Sequence, residues 1–246
     1  MKHNGFNDIR GGGNFSGRLT APLCFAGAVI MQMLEKKGVY IGAHIKRIAK
    51  IDDESFNPVA VNEADLSAVS VKELAVINDE SGEKMKAAVL EAKKNGDSVG
   101  GIIECAVIGL EAGFGEPIFG GIENKISSAI FGIPAVKGIE FGSGFAGCDL
   151  FGSENNDEFI VENEKIKTAT NNHGGILGGI TSGMPVIFRC GIKPTPSIAK
   201  EQQTVNLATG ESEALVIGGR HDPCIVQRAA AVVESAMALA LLEASL

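Results

Sequence analysis

A glycine-rich segment near the start of the chain carries residue types suited to anion binding. It runs Arg10-Gly-Gly-Gly-Asn-Phe-Ser-Gly-Arg-Leu-Thr-Ala-Pro22, so two arginines frame three consecutive glycines and Ser16. Glycines let backbone N–H groups approach a ligand without interference from Cβ atoms, and the N-terminus of the helix that follows favours negative charge. This segment, called the opening segment below, therefore predicts an anion-binding site.

Three further segments hold most of the remaining polar or glycine-rich residues. They are residues 171–183 (NNHGGILGGITSG), 193–197 (KPTPS) and 218–223 (GGRHDP). KPTPS is compatible with a rigid turn, since two prolines fix φ and remove donors, or with a stiff loop that aims polar side chains at a ligand. Asp222 before Pro223 also suits a helix N-cap with proline in the first turn.

The histidines divide by their neighbours. His173 and His221 lie beside these segments and are candidate acids or bases, whereas His3 and His44 are predicted to be surface or incidental residues. No spacing of histidine, cysteine and carboxylate residues matches a metal site, so we predict none.

Two phosphate-binding templates fit the opening segment poorly. The dinucleotide fingerprint GxGxxG fails because Ser16 occupies the third glycine position. Gly12 and Gly17 have P-loop spacing, but Arg18-Leu19 replaces the Lys-Ser/Thr pair, and no strand precedes. A nucleotide-binding loop remains a weak alternative.

Helix and strand patterns alternate along the chain. Apolar periodicity predicts helices over residues 20–37, 83–95 and 120–131 and a long one from Pro223, with Thr20 as the N-cap of the first and Gly38 as its stop. Predicted strands are residues 39–51, 98–109, 135–141, 158–161, 165–170 and 184–193, with a hairpin of 203–207 and 213–217. Residues 142–157 are predicted to form a long loop. Strands that favour antiparallel pairing, with helices between them, indicate an α+β fold.

Composition excludes several classes of protein. The chain has 246 residues, a net charge of −8 and no Trp, which argues against a nucleic-acid or acidic-membrane surface. Its five cysteines are scattered, which suits reduced, mostly buried thiols. The longest apolar run, residues 21–34, is too short to cross a bilayer. We therefore expect a cytoplasmic protein without membrane or nucleic-acid partners.

Five segments together resemble the chorismate synthase family. They are RGGGNFSGRLTAP, PAVKGIEFGSGF, NNHGGILGGITSGMP, KPTPSI and the stretch from GRHDP into the last helix, which span about residues 4–242 in the family's order. The resemblance implies a single domain over residues 1–246, a β-α-β sandwich and a homotetramer.

The resemblance also implies an activity. The family converts 5-enolpyruvylshikimate 3-phosphate to chorismate and phosphate by a 1,4-elimination in the shikimate pathway of aromatic amino acid biosynthesis. The cofactor is reduced FMN, and NADPH serves only indirectly, to reduce the flavin.

Matching the motifs assigns residues to roles. FMN contacts fall on Asn14, Phe15 and Ser16, on Pro134 and Ala135, on Gly178, on Lys193, Pro194, Thr195, Pro196 and Ser197, and on Arg220. Arg10 and Arg18 resemble substrate-binding arginines. Arg220 and Asp222 resemble a catalytic Arg-x-Asp pair in which Asp222 assists proton movement at the flavin. Asn14, Leu19 and Pro134 depart from the residues usual in the family, and His173 is assigned no role.

Family members carry a further N-terminal region, roughly a third of their length. It includes a Gly-Glu-Ser-His-Gly segment, an arginine-rich stretch and a Gly-His-Ala-Asp segment, whose histidines are the family's proposed general acids. None has a counterpart here. We therefore expect a truncated or split gene product with little activity alone; the alternative is a non-catalytic flavin-binding or assembly module that needs a partner chain.

Overall fold

A computed structural model describes residues 2–8 and 10–245 of the chain. The helices are α1 (Thr20–Glu35), α2 (Glu63–Ser70), α3 (Asp79–Lys94), α4 (Ile122–Phe131), α5 (Gly152–Asn155) and α6 (Val226–Ala244). The strands are β1 (Tyr40–Ile48), β2 (Ile51–Asp52), β3 (Gly101–Ile108), β4 (Val136–Phe141), β5 (Phe159–Glu162), β6 (Lys165–Thr168), β7 (Ile176–Leu177), β8 (Ile180–Thr181), β9 (Val186–Ile192), β10 (Gln202–Val205) and β11 (Ser212–Leu215).

Five strands form one antiparallel sheet in the order β2-β1-β3-β9-β4. In the central strand β3, Ile103, Cys105 and Val107 join the main core, whereas Ala106 joins a second cluster with Phe56. Both faces of β3 are thus covered, which explains its continuous apolar run rather than a polar alternation. The antiparallel sheet with separate helices confirms the α+β prediction.

Helix α6 is the central element of the helical layer on the main-core face. It packs against α1, α4, β1 and β3, and its small apolar residues are buried as the 3.6-residue periodicity predicts. Contact with α1 is close: a Cβ added at Gly27 would lie 2.3 Å from the Ser235 Cβ. Glycine at this position therefore sets the distance between the two helices.

Local capping differs from the prediction in two helices. Helix α3 begins at Asp79, four residues before the predicted start, because the Asn78 side chain accepts hydrogen bonds from Glu80 N (2.9 Å) and Ser81 N (3.3 Å). Thr20 is the first residue of α1 rather than its N-cap, and its hydroxyl donates to Gly17 O (2.6 Å). The predicted stop at Gly38 (φ +76°) is confirmed.

Helix α2 has no counterpart among the predicted elements. A capping box begins it: the Asn62 side chain accepts from Ala64 N, and the Asp65 carboxylate accepts from Asn62 N (3.0 Å). Its apolar contribution is small, with Leu66 and Val69 buried on the second cluster. Eight residues with two buried positions give little periodicity to detect.

Three two-stranded sheets lie outside the main sheet. They pair β5 with β6, β7 with β8, and β10 with β11, which confirms the predicted hairpin around residues 208–210. The predicted long loop over residues 142–157 contains α5 and a short 3₁₀ helix, Gly144–Asp149. Asp157 fixes the end of this segment, because its carboxylate accepts from Asn172 N (2.7 Å) and His173 N (3.0 Å).

His44 is completely buried, so its predicted surface position is wrong. Its Nε2 lies 3.0 Å from the Glu104 carboxylate and its Nδ1 lies 3.4 Å from Asp53. Glu104 is 1% exposed and also accepts from Phe56 N (2.8 Å). Arg189 extends this cluster, called the His44 network below, toward Glu140 (2.7 Å). Buried ionisable groups need partners, and these residues supply them to one another.

Helix α1 is apolar on both sides. Its inner face packs on α6, but Phe25, Val29 and Met33 on the outer face are 77, 47 and 54% exposed. Because the 3₁₀ turn Gly17–Leu19 continues into α1, the helical segment Gly17–Glu35 has the length and apolar composition of a membrane-spanning helix. Core helices of soluble proteins meet the same criterion, so this length and composition do not contradict the prediction made from residues 21–34.

The cysteines are all free. Cys105, Cys190 and Cys224 are buried, as predicted, and Cys24 is half-buried. Cys148 is exposed, contrary to prediction, because it lies in the 3₁₀ helix Gly144–Asp149 over the surface.

Candidate active site

The opening segment forms two successive 3₁₀ turns, Arg10–Phe15 and Gly17–Leu19, that lead into α1. Gly12 and Gly13 adopt φ angles of +89° and +48°, which favour glycine. The Ser16 hydroxyl accepts hydrogen bonds from Arg18 N (3.2 Å) and Arg18 Nη1 (3.3 Å). Ser16 therefore caps the second turn and holds Arg18 beside it.

Arg10 is paired within the chain. Its Nε and Nη2 donate to the two carboxylate oxygens of Asp8 at 2.9 and 3.0 Å, and its backbone N–H also donates to Asp8. The guanidinium hydrogen bond lowers the pKa of Asp8. Both side chains are exposed, so a bound anion would compete with Asp8 for Arg10 in water.

Pro134 and Ala135 lie between α4 and β4, beside the end of β9. Ala135 has a φ of +75°, a conformation that costs a non-glycine residue of order 1–3 kcal/mol and is found at functional sites. Its carbonyl accepts from Lys193 N (3.0 Å). Two of the predicted FMN segments are thus joined directly.

The KPTPS segment is held at the same end of the sheet. Ser98 Oγ donates to Thr195 O (2.6 Å), and a Cβ at Gly100 would lie 2.3 Å from Ile192 O. The Thr195 hydroxyl is buried and has no hydrogen-bond partner in the described structure. Such a group normally has a partner, so Thr195 Oγ1 is suited to contact a ligand.

Asp222 is not an N-cap, so that interpretation of the Asp-Pro pair is wrong. Helix α6 begins at Val226, and Ile225 precedes it without a side-chain cap. The Asp222 carboxylate instead pairs with Arg228 Nη1 (2.6 Å) and accepts from Cys224 N (3.4 Å). Arg220 lies two residues earlier on the surface.

A small cavity joins these segments. Its volume is about 150 Å³, and its lining comes from the opening segment, the turn before β4, the end of β9 and the start of α6: Gly17, Thr20, Ile133, Pro134, Ile192, Ile225, Arg228, Ala229 and Val232. Arg228 is a lining residue that sequence analysis missed. Its ion pair with Asp222 spans six residues across a turn, a separation that no helix or strand periodicity predicts.

Gly178 lies apart from the other predicted FMN residues. It forms the β7–β8 turn, whose neighbour Gly179 accepts a hydrogen bond from Ile122 N at the start of α4. Pro134 follows the other end of the same ten-residue helix, which is roughly 15 Å long at 1.5 Å per residue. One chain therefore gathers the opening segment, Pro134–Ala135 and KPTPS, but not Gly178.

His173 and His221 are both bound within the chain. His173 Nδ1 accepts from Gly175 N (2.9 Å), and its Nε2 lies 3.3 Å from Asp157. Burial lowers the pKa of His173 despite this carboxylate. His221 Nε2 lies 2.8 Å from Ile217 O. One ring nitrogen of each imidazole therefore contacts the backbone of its own loop.

The residues gathered at this end of the sheet fit FMN as ligand groups. The unpartnered Thr195 hydroxyl, the lysine of KPTPS and the glycine-rich turns offer donors for a phosphate and for a polar ring edge. The cavity itself is smaller than the 300–1,000 Å³ of typical ligand pockets, so it encloses only part of such a cofactor.

The fold and the site define an α+β protein with a candidate site for anionic ligands at one end of its antiparallel sheet. A family model described as chorismate synthase matches residues 1–246, and the chain belongs to that family.

Curated relatives and a solved structure carry the same name. A chorismate synthase from Lancefieldella parvula is 48% identical over 243 residues, and one from Korarchaeum cryptofilum is 47% identical over 242 residues. These matches cover 95 and 98% of this chain. A crystal structure of chorismate synthase superposes with a TM-score of 0.79 at 28% identity and covers 99% of this chain.

The relatives are longer than this chain. The chain spans 64% and 66% of the length of the two curated relatives and 67% of the solved structure. About a third of each relative thus lies outside the match.

Proposed function

We propose that this chain supplies the flavin- and substrate-binding part of a chorismate synthase. The reaction is the 1,4-elimination of phosphate from 5-enolpyruvylshikimate 3-phosphate, in the shikimate pathway, with reduced FMN as cofactor and NADPH needed only to reduce it. One observation carries the proposal. In a chain of this family, the opening segment and Pro134 line one cavity at an end of the sheet, and Lys193 N of KPTPS donates to the carbonyl of the adjoining Ala135.

The arginines of the opening segment serve substrate binding in this proposal. Arg10 and Arg18 present guanidinium groups that bind phosphate or carboxylate in two-point geometry, and they stabilise negative charge as phosphate leaves. Ser16 positions Arg18 through two hydrogen bonds. Asp8 occupies Arg10 until the substrate displaces it.

The remaining residues serve the cofactor. Asn14, Phe15 and Ser16, Pro134 and Ala135, Lys193 to Ser197 and Arg220 are the proposed contacts, with Gly178 contributing from a separate position. Bound reduced FMN supplies transient negative charge to the substrate. Thr195 Oγ1 donates to it or accepts from it, and Asp222, held by Arg228, would assist proton movement beside it.

A second candidate is a flavin-binding or assembly module that needs a partner chain. Helix α1 favours it, because the outer face with Phe25, Val29 and Met33 is apolar and exposed. A helix that is apolar all round is normally buried, and members of this family are soluble enzymes. We propose that another polypeptide segment covers this face. It is either a second copy of the chain in a homotetramer or the part that makes up the unmatched third of the relatives.

Turnover in a reconstituted mixture tests the proposal. The chain is combined with the unmatched third of the Lancefieldella parvula relative, and chorismate formation is measured with reduced FMN. We expect turnover in the mixture and at least roughly 100-fold less from the chain alone, the range that general acid catalysis contributes. Absence of turnover in both would contradict the enzyme proposal, and equal turnover would contradict the need for a partner.

A further inference from the structure

The ion pair between Arg228 and Asp222 holds one carboxylate in a defined orientation. Arg228 Nη1 contacts Asp222 Oδ2 at 2.6 Å, while Oδ1 accepts from Cys224 N at 3.4 Å. The two oxygens thus have separate partners. Asp222 is 28% exposed and Arg228 is 78% exposed, so the pair lies at the rim of the protein with the carboxylate on the inner side.

Helix stability does not explain an arginine at this position. Arg228 is the third residue of α6, in the first turn, where the helix dipole disfavours a positive charge. An exposed ion pair contributes little to folding. The position is instead explained by what the guanidinium faces, because Arg228 also lines the cavity shared by Thr20, Pro134 and Ile192.

Arg228 is the charged member of an otherwise nearly apolar wall. Among the described residues that line the cavity, only Thr20 and Arg228 have polar side chains, and only Arg228 carries a charge. The same guanidinium contacts Asp222, so it fixes that carboxylate beside the cavity.

We propose that Arg228 is a positioning residue, which orients the Asp222 carboxylate at the rim of the cavity where the cofactor segments meet. The inference rests on the proposed function of this site. Arg228 acts through Asp222, so its effect on a bound flavin depends on the carboxylate being present.

A double-mutant cycle on FMN affinity tests this dependence. FMN dissociation constants are measured by flavin fluorescence for wild type, Arg228→Gln, Asp222→Asn and the double variant, with Arg228→Lys as the conservative rescue. Lys84→Gln is the control, because it removes another exposed ion pair, at 2.7 Å from Glu80 on α3. Thermal unfolding of each variant checks that the fold is unchanged.

We expect Arg228→Gln to change FMN affinity by about fivefold in the wild-type background and not at all in the Asp222→Asn background. Fivefold corresponds to a coupling free energy of about 1 kcal/mol. Arg228→Lys restores part of the affinity, and Lys84→Gln leaves it unchanged. An equal effect in both backgrounds, or none in either, would overturn the inference. If wild type binds no FMN, the proposed function itself fails instead.

Discussion

The His44 network and the candidate active site both gather charged side chains at the antiparallel sheet, but the centre of the network is enclosed, whereas the ion pairs at the site are exposed to water. His44 and Glu104 are at most 1% exposed, and the His44 ring lies between the carboxylates of Glu104 and Asp53. At the site, Arg10 and Arg228 are 89 and 78% exposed, and their partners Asp8 and Asp222 lie a few residues earlier in the sequence. Enclosed pairs leave no capacity for a ligand, whereas exposed pairs can be exchanged for one.

The difference separates stability from binding. Removing one partner from a buried pair leaves an unpaired charge in the interior, whereas removing one from an exposed pair costs little. We therefore expect substitutions in the His44 network to affect folding and substitutions at the site to affect ligands.

The largest expected effect is that of His44→Leu. It leaves the buried Asp53 and Glu104 carboxylates without their shared partner, and we expect a loss of about 3–5 kcal/mol in unfolding free energy. Denaturant unfolding at pH 6 measures it. His3→Leu is the matched control, since His3 is exposed. If His44→Leu lost less than about 1 kcal/mol more unfolding free energy than His3→Leu, the network would not be a stabilising unit.

The same network has a pH dependence. Burial lowers the pKa of His44, but the neighbouring carboxylates of Asp53 and Glu104 outweigh burial and raise this pKa above 6.5. A histidine whose pKa is raised by folding stabilises the folded state fully when the pH is below its pKa in the unfolded state. This stabilisation is lost as the pH rises through its pKa in the folded state. Wild type should therefore lose stability above pH 6.5 more steeply than His44→Leu.

A smaller effect on stability is expected at Glu234, whose burial is intermediate between that of His44 and that of the exposed pairs at the site. Burial raises its pKa to about 7, while its carboxylate accepts from Ala43 N (2.8 Å) at the edge of β1. The folded state binds the Glu234 proton more tightly than the unfolded state, in which the pKa of this carboxyl is 4.5. This contribution to stability therefore falls as the pH rises from about 4.5 to 7.

Glu234→Gln should remove that slope. We expect the variant to match wild type at pH 5 and to exceed it by about 1–3 kcal/mol at pH 8, from the free energy of roughly 1.4 kcal/mol per pKa unit. Thermal unfolding across this range measures it. Glu243→Gln, on the same helix and exposed, should show no such gain. Parallel pH profiles for wild type and Glu234→Gln would refute the assignment.

The sequence predicted the parts of the fold that depend on long periodic segments. Helices α1, α4 and α6 and strands β1, β3 and β9 repeat apolar residues over enough positions to be recognised. Helix α2 and the start of α3 depend on the side chains of Asn62 and Asn78, which act over a single turn. Such caps shift element bounds without changing the apolar pattern.

The His44 network escaped prediction for a different reason. His44, Asp53 and Glu104 come from three separate segments and meet only because β1 pairs with β3, placing His44 opposite Glu104. The motif segments at the site were recognised by their local residue types. Their meeting at one end of the sheet, and the ion pair of Asp222 with Arg228, follow from tertiary packing that no single segment encodes.

FMN binding by this chain tests most directly the claim that exposed charges bind while enclosed charges stabilise. Flavin fluorescence is titrated against wild type, Arg220→Gln and the control Lys84→Gln. We predict saturable binding, weakened about tenfold in Arg220→Gln by the loss of a charge-assisted hydrogen bond, with unfolding free energy changed by less than about 0.5 kcal/mol. Equal affinity for wild type and Arg220→Gln, or no binding by wild type, would contradict it.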